Sequence, residues 1–274
     1  MADVTLTKAV RQNLLTLQRS SGLIDRTQDR LASGLRVSSP VDDAGAFFTA
    51  RALSNRADDF SKLRGDIDVS ISTVNAALDG IDAITELVEQ ARGLANNAKA
   101  TGSLTERSTL AKQFNDILTQ IDNLTKDASF NGTNLLKATP DNLVVTFNET
   151  GTNTLTVTGL DSTTAATGLN VANAANNFGA AANINVALTA IGNALTELRT
   201  NASTLGSNST VLQTRLNFSD SLINTLQDGS GKLTLADLNE ESANLLALQT
   251  RQQLGINSLA LASQSERGIL ALFG

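Results

Sequence analysis

Apolar residues near the start of the chain recur about seven positions apart, which is the spacing of a helix with one narrow hydrophobic stripe. The stripe consists of Val10, Leu14, Leu17, Ile24 and Leu31. Gly34 follows the last of these residues and suits the position just beyond a helix end, where the backbone turns left-handed. The pattern predicts a first helix that ends at Gly34.

The segment "SSPVDD" after this glycine predicts the start of a second helix. Ser39 suits the N-cap, Pro40 the first helical position, and Asp42 lies three residues beyond the cap, close to a capping box. Apolar residues then recur every three to four positions until the pattern thins near Asn96. A helix from Asp42 to Lys99 would be roughly 85 Å long.

The segment "TGSLTE" predicts the end of the second helix and the start of a third. Ser103 and Glu106 have the spacing of a second capping box, in which each would bond the other's backbone. An apolar heptad pattern follows, formed by Leu110, Phe114, Ile117, Ile121, Leu124 and Ala128.

The period changes from helical to alternating between Phe130 and Thr158. Asn131-Gly132 marks a turn, and the alternation around Leu143 to Phe147 and in "TLTVT" predicts a short β-hairpin. Residues 159–182 are rich in Ala, Asn, Thr and Gly and offer little to bury. We expect this stretch to be an exposed, variable loop.

Heptad-like spacing returns from about Asn183 to Leu226 and predicts a long fourth helix. The residues "DGSGK" at 228–232 are expected to interrupt it, with Thr234 and Asp237 as the next capping pair. A last helix would begin at Leu235 and reach the apolar end of the chain, formed by Ile269, Leu270, Leu272 and Phe273.

This order of elements predicts a mainly α fold, an elongated antiparallel helical bundle or coiled-coil rod with one small β-hairpin region. Folding back at the hairpin would bring the two terminal helices together. The stripe of the first helix would then meet Leu245, Leu248 and Leu259 of the last helix.

The apolar end of the chain allows two interpretations. The tail could close the chain's own bundle, or it could meet another copy of the chain. Leu246, Leu254 and Leu261 lie off the stripe of the last helix and favour the second interpretation. A helix with apolar residues on all sides is usually covered by neighbours on more than one side.

Composition removes most catalytic chemistry, because the chain has no His and no Cys. Imidazole ligands, disulfides and His-assisted nucleophiles are therefore excluded. The adjacent acidic pairs, such as Asp58-Asp59, point to different helix faces and match no calcium loop. We therefore expect no enzyme activity, no cofactor and no bound metal. The net charge of −6 leaves no basic surface of the size that nucleic acid needs, so we expect no nucleic-acid partner.

Three segments resemble flagellin, the subunit of the bacterial flagellar filament. They are "LASGLRVSSPVDDAG", "DASFNGTNLL" and "QQLGINSLALASQSERGILALFG". The likeness covers roughly residues 1–136 and 183–274, the two ends of the chain, and the absence of Cys with few aromatic residues is similar too.

The resemblance implies how the chain is divided into domains. An inner helical domain would combine residues 1–38 with 229–274, and an outer rod domain would combine 39–136 with 183–228. The hairpin and a variable surface loop would occupy 137–182. A middle this short implies a near-minimal flagellin.

The resemblance also implies the partners. Copies of the chain would polymerise into the extracellular filament used for motility, with the terminal helices forming an inner tube around the export channel. The flagellar type III export apparatus, an export chaperone, the filament cap and hook-junction proteins would be further partners. No membrane insertion is implied, and no cleaved signal peptide is visible at the N-terminus.

Some flagellins are ligands of an innate immune receptor. The resemblance implies that four residues of this chain correspond to the receptor-binding patch of those flagellins. Arg92 and Leu94 match the recognised pattern, whereas Gln90 replaces a basic residue and Gln113 an acidic one. We expect weak or evaded recognition.

Two other functions remain open at this point. A hook–filament junction protein would share the terminal helices, and a cytoplasmic helical adaptor or signalling rod would belong to a different class.

Overall fold

The structure is a computed structural model that describes the backbone of residues 8–273; the side chains of residues 9, 266 and 269–273 lie outside the described part. Its elements in chain order are α1 (Lys8–Ser33), α2 (Ala44–Ala100), α3 (Leu104–Asp127), β1 (Leu143–Thr146), β2 (Thr154–Val157), a short 3-10 turn (Ala175–Phe178), α4 (Ala181–Thr234) and α5 (Leu238–Phe273). The predicted fold class, mainly α with one small β-hairpin, is confirmed.

The chain divides into two compact units. The terminal unit is built from Met1–Asn55 and Thr225–Gly274, and the central unit from Arg56–Asn224. The finer division into segments that end at residues 38, 136, 182 and 228 stays a prediction.

The central unit has a continuous hydrophobic core between α2, α3, α4 and the hairpin region. Isoleucine and phenylalanine side chains fill it, and the fully buried ones include Ile67, Ile81, Ile84, Phe114, Ile121, Phe178, Ile184 and Ile191. Alanines of α2 and α3 belong to the same core, in which Ala91, Ala95, Ala98 and Ala111 are completely buried. The helical stripes predicted in this part of the chain therefore do face one core.

The N-terminus of α3 contains one of the two hydrogen bonds of the predicted capping box. Ser103 is the N-cap, and its hydroxyl accepts a hydrogen bond from the Glu106 N–H at 3.4 Å. The reciprocal bond is not formed, because the Thr101 hydroxyl donates to the Glu106 carboxylate. Thr101 also accepts the Ser103 N–H at 3.2 Å. A third residue therefore takes the role that the sequence pattern gave to Glu106.

The hairpin and the turn before it agree with the sequence pattern. β1 and β2 pair antiparallel with Leu143 opposite Val157. Alternate side chains are buried, so Val145 is 2% exposed and Val144 is 59% exposed. Asn131 and Gly132 both have positive φ, and the flanking residues exchange two backbone hydrogen bonds of 2.9 Å each. This is the geometry expected of an Asn-Gly turn.

The segment after the hairpin is not the exposed loop that its composition predicts. Leu169, Val171 and Phe178 are buried in the central core. The ring of Phe178 packs edge-on against Phe114, with centroids 5.3 Å apart. The prediction for residues 159–182 was therefore wrong in the part that carries these side chains.

Polar side chains of α3 explain how so polar a segment can be ordered. The Asn115 side-chain oxygen accepts the Ala174 N–H at 2.8 Å, and an Asp122 carboxylate oxygen accepts the Thr164 N–H at 2.8 Å. Buried backbone N–H groups need such partners. Because α3 supplies them, a few apolar anchors suffice, and average composition cannot reveal this arrangement.

The predicted interruption of α4 at 228–232 was also wrong, because the helix continues to Thr234. A Cβ on Gly229 would lie 3.3 Å from Leu53, and the Ser230 hydroxyl donates to the Ala50 carbonyl at 3.0 Å. Each glycine costs a helix about 1 kcal/mol relative to alanine. Packing of α4 against α2 in the terminal unit offsets this cost.

We expect Phe178→Ala to lower the free energy of unfolding of the central unit by about 3–5 kcal/mol, because it removes a fully buried ring from the core. Urea unfolding followed by circular dichroism measures the change. The matched control is Phe218→Ala, whose side chain is 56% exposed, with an expected change within about 0.5 kcal/mol. Equal effects of the two substitutions would show that the segment is not part of the core.

Candidate functional site

The terminal helices α1 and α5 lie side by side and run in opposite directions. Arg30 of α1 contacts Glu241 of α5, and Leu17, earlier in α1, contacts the later residue Gly255. The first and last helices of the chain therefore pair within the terminal unit, and their facing side chains form the seam between them.

The structure places the predicted stripe residues along this seam with different degrees of burial. Val10 and Ile24 are buried, and Leu14 is 40% exposed. The half-buried members are Leu17, Leu31, Leu245, Leu248 and Leu259. The side chains of Ile269, Leu270, Leu272 and Phe273 lie outside the described part of the chain, so their role stays a prediction.

Close approach at the middle of the seam depends on a glycine. A Cβ placed on Gly255 would lie 3.0 Å from Cδ2 of Leu17 and 3.3 Å from its Cγ. Any larger residue would force Leu17 to move. Gly255 therefore helps to fix the register of α5 on α1.

An ion pair fixes the seam at one end. Nη1 of Arg30 and Oε1 of Glu241 are 2.8 Å apart, and the two side chains are 28% and 10% exposed. A carboxylate this well buried needs a partner, since an unpaired buried charge is strongly destabilising. Sequence reasoning missed this pair, although an antiparallel alignment of the two apolar stripes places residues 30 and 241 close together.

The helix α5 also carries apolar side chains on the side away from α1. Leu246, Leu254 and Leu261 are 67%, 61% and 72% exposed. Helix α1 likewise exposes Leu15 and Leu23 at 53% and 44%. The pair thus leaves two separate apolar surfaces uncovered, and large exposed apolar surfaces mark interaction sites.

The segments that follow α1 and precede α5 hydrogen-bond to each other. Arg36 and Val37 both donate their N–H to the Thr234 carbonyl, at 2.7 and 3.2 Å, and the Ala236 N–H donates to the Gly34 carbonyl at 3.0 Å. Gly34 has a φ of +71°, which an L residue rarely adopts. The prediction that Gly34 ends α1 is confirmed. Its conformation directs the chain into the segment that bonds to residues 234–236.

The predicted cap of α2 is corrected by the structure. The helix begins at Ala44, and Asp43 is its cap, with a carboxylate oxygen that accepts the Ala46 N–H at 2.9 Å. Ser39 and Pro40 instead belong to the turn before the helix. Proline suits the second position of a turn as well as the first position of a helix, so the sequence pattern fitted both arrangements.

Asp42 closes this turn and does not lie in the first turn of α2, where the sequence pattern placed it. Its Oδ2 accepts the backbone N–H groups of Ser38 and Ser39, each at 3.1 Å, and both serine hydroxyls. The Ser38 N–H, followed by the Ser39 hydroxyl and N–H, holds the pKa of the Asp42 carboxyl below its ordinary value. These bonds favour the charged carboxylate.

The four residues of the predicted immune-receptor patch lie on α2 and α3 of the central unit. Gln90, Arg92 and Gln113 are exposed, while Leu94 is half-buried against the core. Arg92 pairs with Glu89 one turn earlier, at 3.3 Å. Weak receptor recognition stays a prediction.

The described residues contain neither a cluster of side chains that could hold a metal ion nor a helix that could span a membrane. No three acidic side chains there are grouped so that they could hold a metal ion. None of the helices in that part of the chain combines the length and the hydropathy of a transmembrane span.

The fold and the candidate site define a helical structural protein whose paired ends present apolar side chains outward. Comparison with known proteins identifies the family. A model of the bacterial flagellin N-terminal helical region matches residues 6–141, and one of the C-terminal helical region matches 188–273.

Two individual relatives agree with the family models. Flagellin FljM of Caulobacter vibrioides is 32% identical across 95% of this chain and 94% of its own length. A flagellin of Brucella melitensis is 30% identical across 100% of this chain and 99% of its own. A crystal structure of Bacillus cereus flagellin, 19% identical, matches 56% of this chain and 88% of that chain with a TM-score of 0.49.

The chain therefore belongs to the bacterial flagellin family. It is a structural subunit of the bacterial flagellar filament, in agreement with the resemblance of its terminal motifs, and nothing favours the junction protein or the adaptor.

We expect Arg30→Met to weaken the α1–α5 contact by about 1–3 kcal/mol, because it leaves the Glu241 carboxylate without a partner. The double variant Arg30→Met/Glu241→Leu should recover most of this loss, since an apolar pair replaces the ion pair. Hydrogen exchange of α1 and α5 amides measures the local opening free energy. Arg92→Met, which breaks an exposed ion pair of the central unit, serves as the control and should leave these amides unchanged.

We expect the Asp42 carboxyl to titrate below the ordinary aspartate pKa of 3.8. A lowered native pKa stabilises the turn above the ordinary value, and this contribution is lost as the pH falls through the native pKa. Carbon-13 NMR of the Asp42 carboxyl across the acid range measures the midpoint. Ser38→Ala/Ser39→Ala should move it back towards 3.8. A midpoint at or above 3.8 in the unaltered chain would contradict the hydrogen-bonded turn.

Proposed function

We propose that the paired helices α1 and α5 are the element through which copies of this chain polymerise, and that they form the inner tube of the filament around its export channel. The observation that carries the proposal is the second apolar side of α5, formed by Leu246, Leu254 and Leu261, each more than half exposed. Neighbouring copies would remove these side chains from water.

The arrangement of the exposed leucines favours an open polymer. Each chain presents one apolar surface on α5 and a different one on α1, around Leu15 and Leu23. A contact of either surface with an unlike surface of a neighbouring copy is heterologous, and repeating it gives a ring or an open helix, whereas two like surfaces would close a dimer. A helical filament is the assembly of this kind that the family forms.

The narrow α1–α5 seam also supports an order of events. Two helices that bury one stripe each are marginally stable alone, because most helical stability comes from tertiary packing. We infer that the chain travels unfolded through the flagellar type III export apparatus, held before that by an export chaperone. It would then fold beneath the filament cap, beyond the hook-junction proteins, where neighbouring copies offset the conformational entropy of ordering.

The inner-tube role would extend over residues 1–38 and 229–274, with Ile269, Leu270, Leu272 and Phe273 buried by neighbours. The outer rod would contain the remaining helices and the hairpin. Family membership supports this division.

We expect Leu246→Ser/Leu261→Ser to raise the critical monomer concentration for filament formation by roughly 30–150-fold. The two side chains are 67% and 72% exposed in one chain, and burying them contributes about 2–3 kcal/mol to assembly. Sedimentation of filaments and negative-stain electron microscopy measure assembly, while circular dichroism should show unchanged folding.

The matched control is Val144→Ser/Val186→Ser in the central unit, where the side chains are 59% and 70% exposed. This variant should assemble within about threefold of the unaltered chain, since exposed substitutions usually change stability by less than about 0.5 kcal/mol. Loss of assembly in the control alone would place the polymerising surface outside the terminal helices.

A further inference from the structure

Five basic residues of α1 lie along one side of the helix. At about 100° per residue they fall within an arc of about 100°, and they are Lys8, Arg11, Arg19, Arg26 and Arg30. This basic face lies on the side of α1 away from the apolar seam, and Leu15 lies within it at 53% exposure. Asp25 and Asp29, the acidic residues of α1, lie on its border.

Within the described residues, most of the basic face has no ion-pair partner. Arg30 pairs with Glu241, but Lys8, Arg11, Arg19 and Arg26 form no ion pair among the described residues. All four are exposed. Exposed arginines flanking a leucine are the kind of surface that can bind an acidic, partly apolar partner.

The central unit carries a matching acidic face on α2. Its members fall within an arc of about 80°, and they are Asp68, Asp79, Asp82, Glu86 and Glu89. All are exposed, and in the described part of the chain only Glu89 forms an ion pair, with Arg92 of the same helix. At about 1.5 Å per residue the acidic face is roughly 32 Å long and the basic face roughly 33 Å.

The overall charge makes these faces informative about the partner. With a net charge of −6, copies of the chain repel one another at long range. The basic face is the part of the described surface best suited to reverse this repulsion locally, because complementary charges steer association and fix register. A negatively charged chain that must self-associate needs such a surface.

We propose that the basic face of α1 in one copy docks on the acidic face of α2 in a second copy. The occupant of each face is therefore another molecule of this same chain. The inference rests on the proposed polymerisation and adds to it a partner surface and a charge-dependent step. Similar length and opposite charge of the two faces carry it, together with the exposure of every member except Arg30.

Paired charge reversals test the contact between copies. One variant, Arg11→Glu/Arg19→Glu/Arg26→Glu, makes the basic face acidic. The other, Asp79→Lys/Asp82→Lys/Glu86→Lys, makes the acidic face basic. Each alone places like charges opposite each other, so we expect the critical monomer concentration to rise at least about tenfold.

Mixing the two variants should restore assembly. In the mixture, each altered face meets a complementary face on the other variant, so alternating copies satisfy both contacts. We expect the critical concentration of an equimolar mixture to return to within about threefold of the unaltered chain. Recovery only when all six substitutions are in one chain would overturn the proposal, because the contact would then not require a second copy.

The control removes the same number of positive charges elsewhere. Lys99→Glu/Lys112→Glu/Lys126→Glu changes three exposed lysines of α2 and α3 and should not alter assembly. An effect equal to that of the α1 variant would mean that net charge alone matters, which overturns the proposal.

Sodium chloride provides a second readout, because the Debye length falls from about 10 Å at 0.1 M to about 3 Å at 1 M. The assembly rate of the unaltered chain should fall at least about tenfold across this range, and that of the α1 variant should rise. The opposite dependence would contradict the charge contact.

Further results distinguish failure of the charge contact from failure of the proposed polymerisation. Failure of the unaltered chain to form filaments would contradict the proposed function itself. Filaments from the unaltered chain with no rescue on mixing would overturn only the charge contact. Binding of monomer to vesicles of anionic phospholipid, lost on reversal of the basic face while filaments still form normally, would give that face a lipid partner instead.

Discussion

The antiparallel contact between α1 and α5 is the interaction on which the terminal unit depends. Each helix contributes one narrow apolar stripe, so the seam tolerates few errors in register. Gly255 admits Leu17 at close range, and the buried Glu241 carboxylate is acceptable only opposite Arg30. Both constraints fix the same alignment. Because the seam uses one side of each helix, the other sides remain available for neighbouring copies.

The central unit has a larger buried core than the paired terminal helices. Helices α2, α3 and α4 bury whole rows of side chains in one core. The polar segment after the hairpin completes the core because Asn115 and Asp122 satisfy its backbone N–H groups. A stable unit of this kind can carry charged faces on its surface without loss of its own packing.

Charge is distributed so that attraction and repulsion act at different ranges. The net charge of −6 keeps dilute copies apart, while the basic face of α1 offers a local site of opposite sign. Exposed leucines beside that face supply the apolar contact. Electrostatics sets orientation and rate, and apolar burial supplies most of the affinity. Both features belong to surfaces that the folded chain leaves uncovered.

The sequence by itself determined the helices, the hairpin and the pairing of the ends, because the apolar period is a local signal that is repeated over many residues. It also identified the family through its terminal motifs. Only the tertiary structure decided the ends of helices and the fate of the polar segment. Asp42 and Asp43 are adjacent carboxylates, and only the folded turn shows which one caps α2. Gly229 and Gly231 remain helical, and Phe178 is buried, because contacts with residues distant in sequence outweigh local propensity.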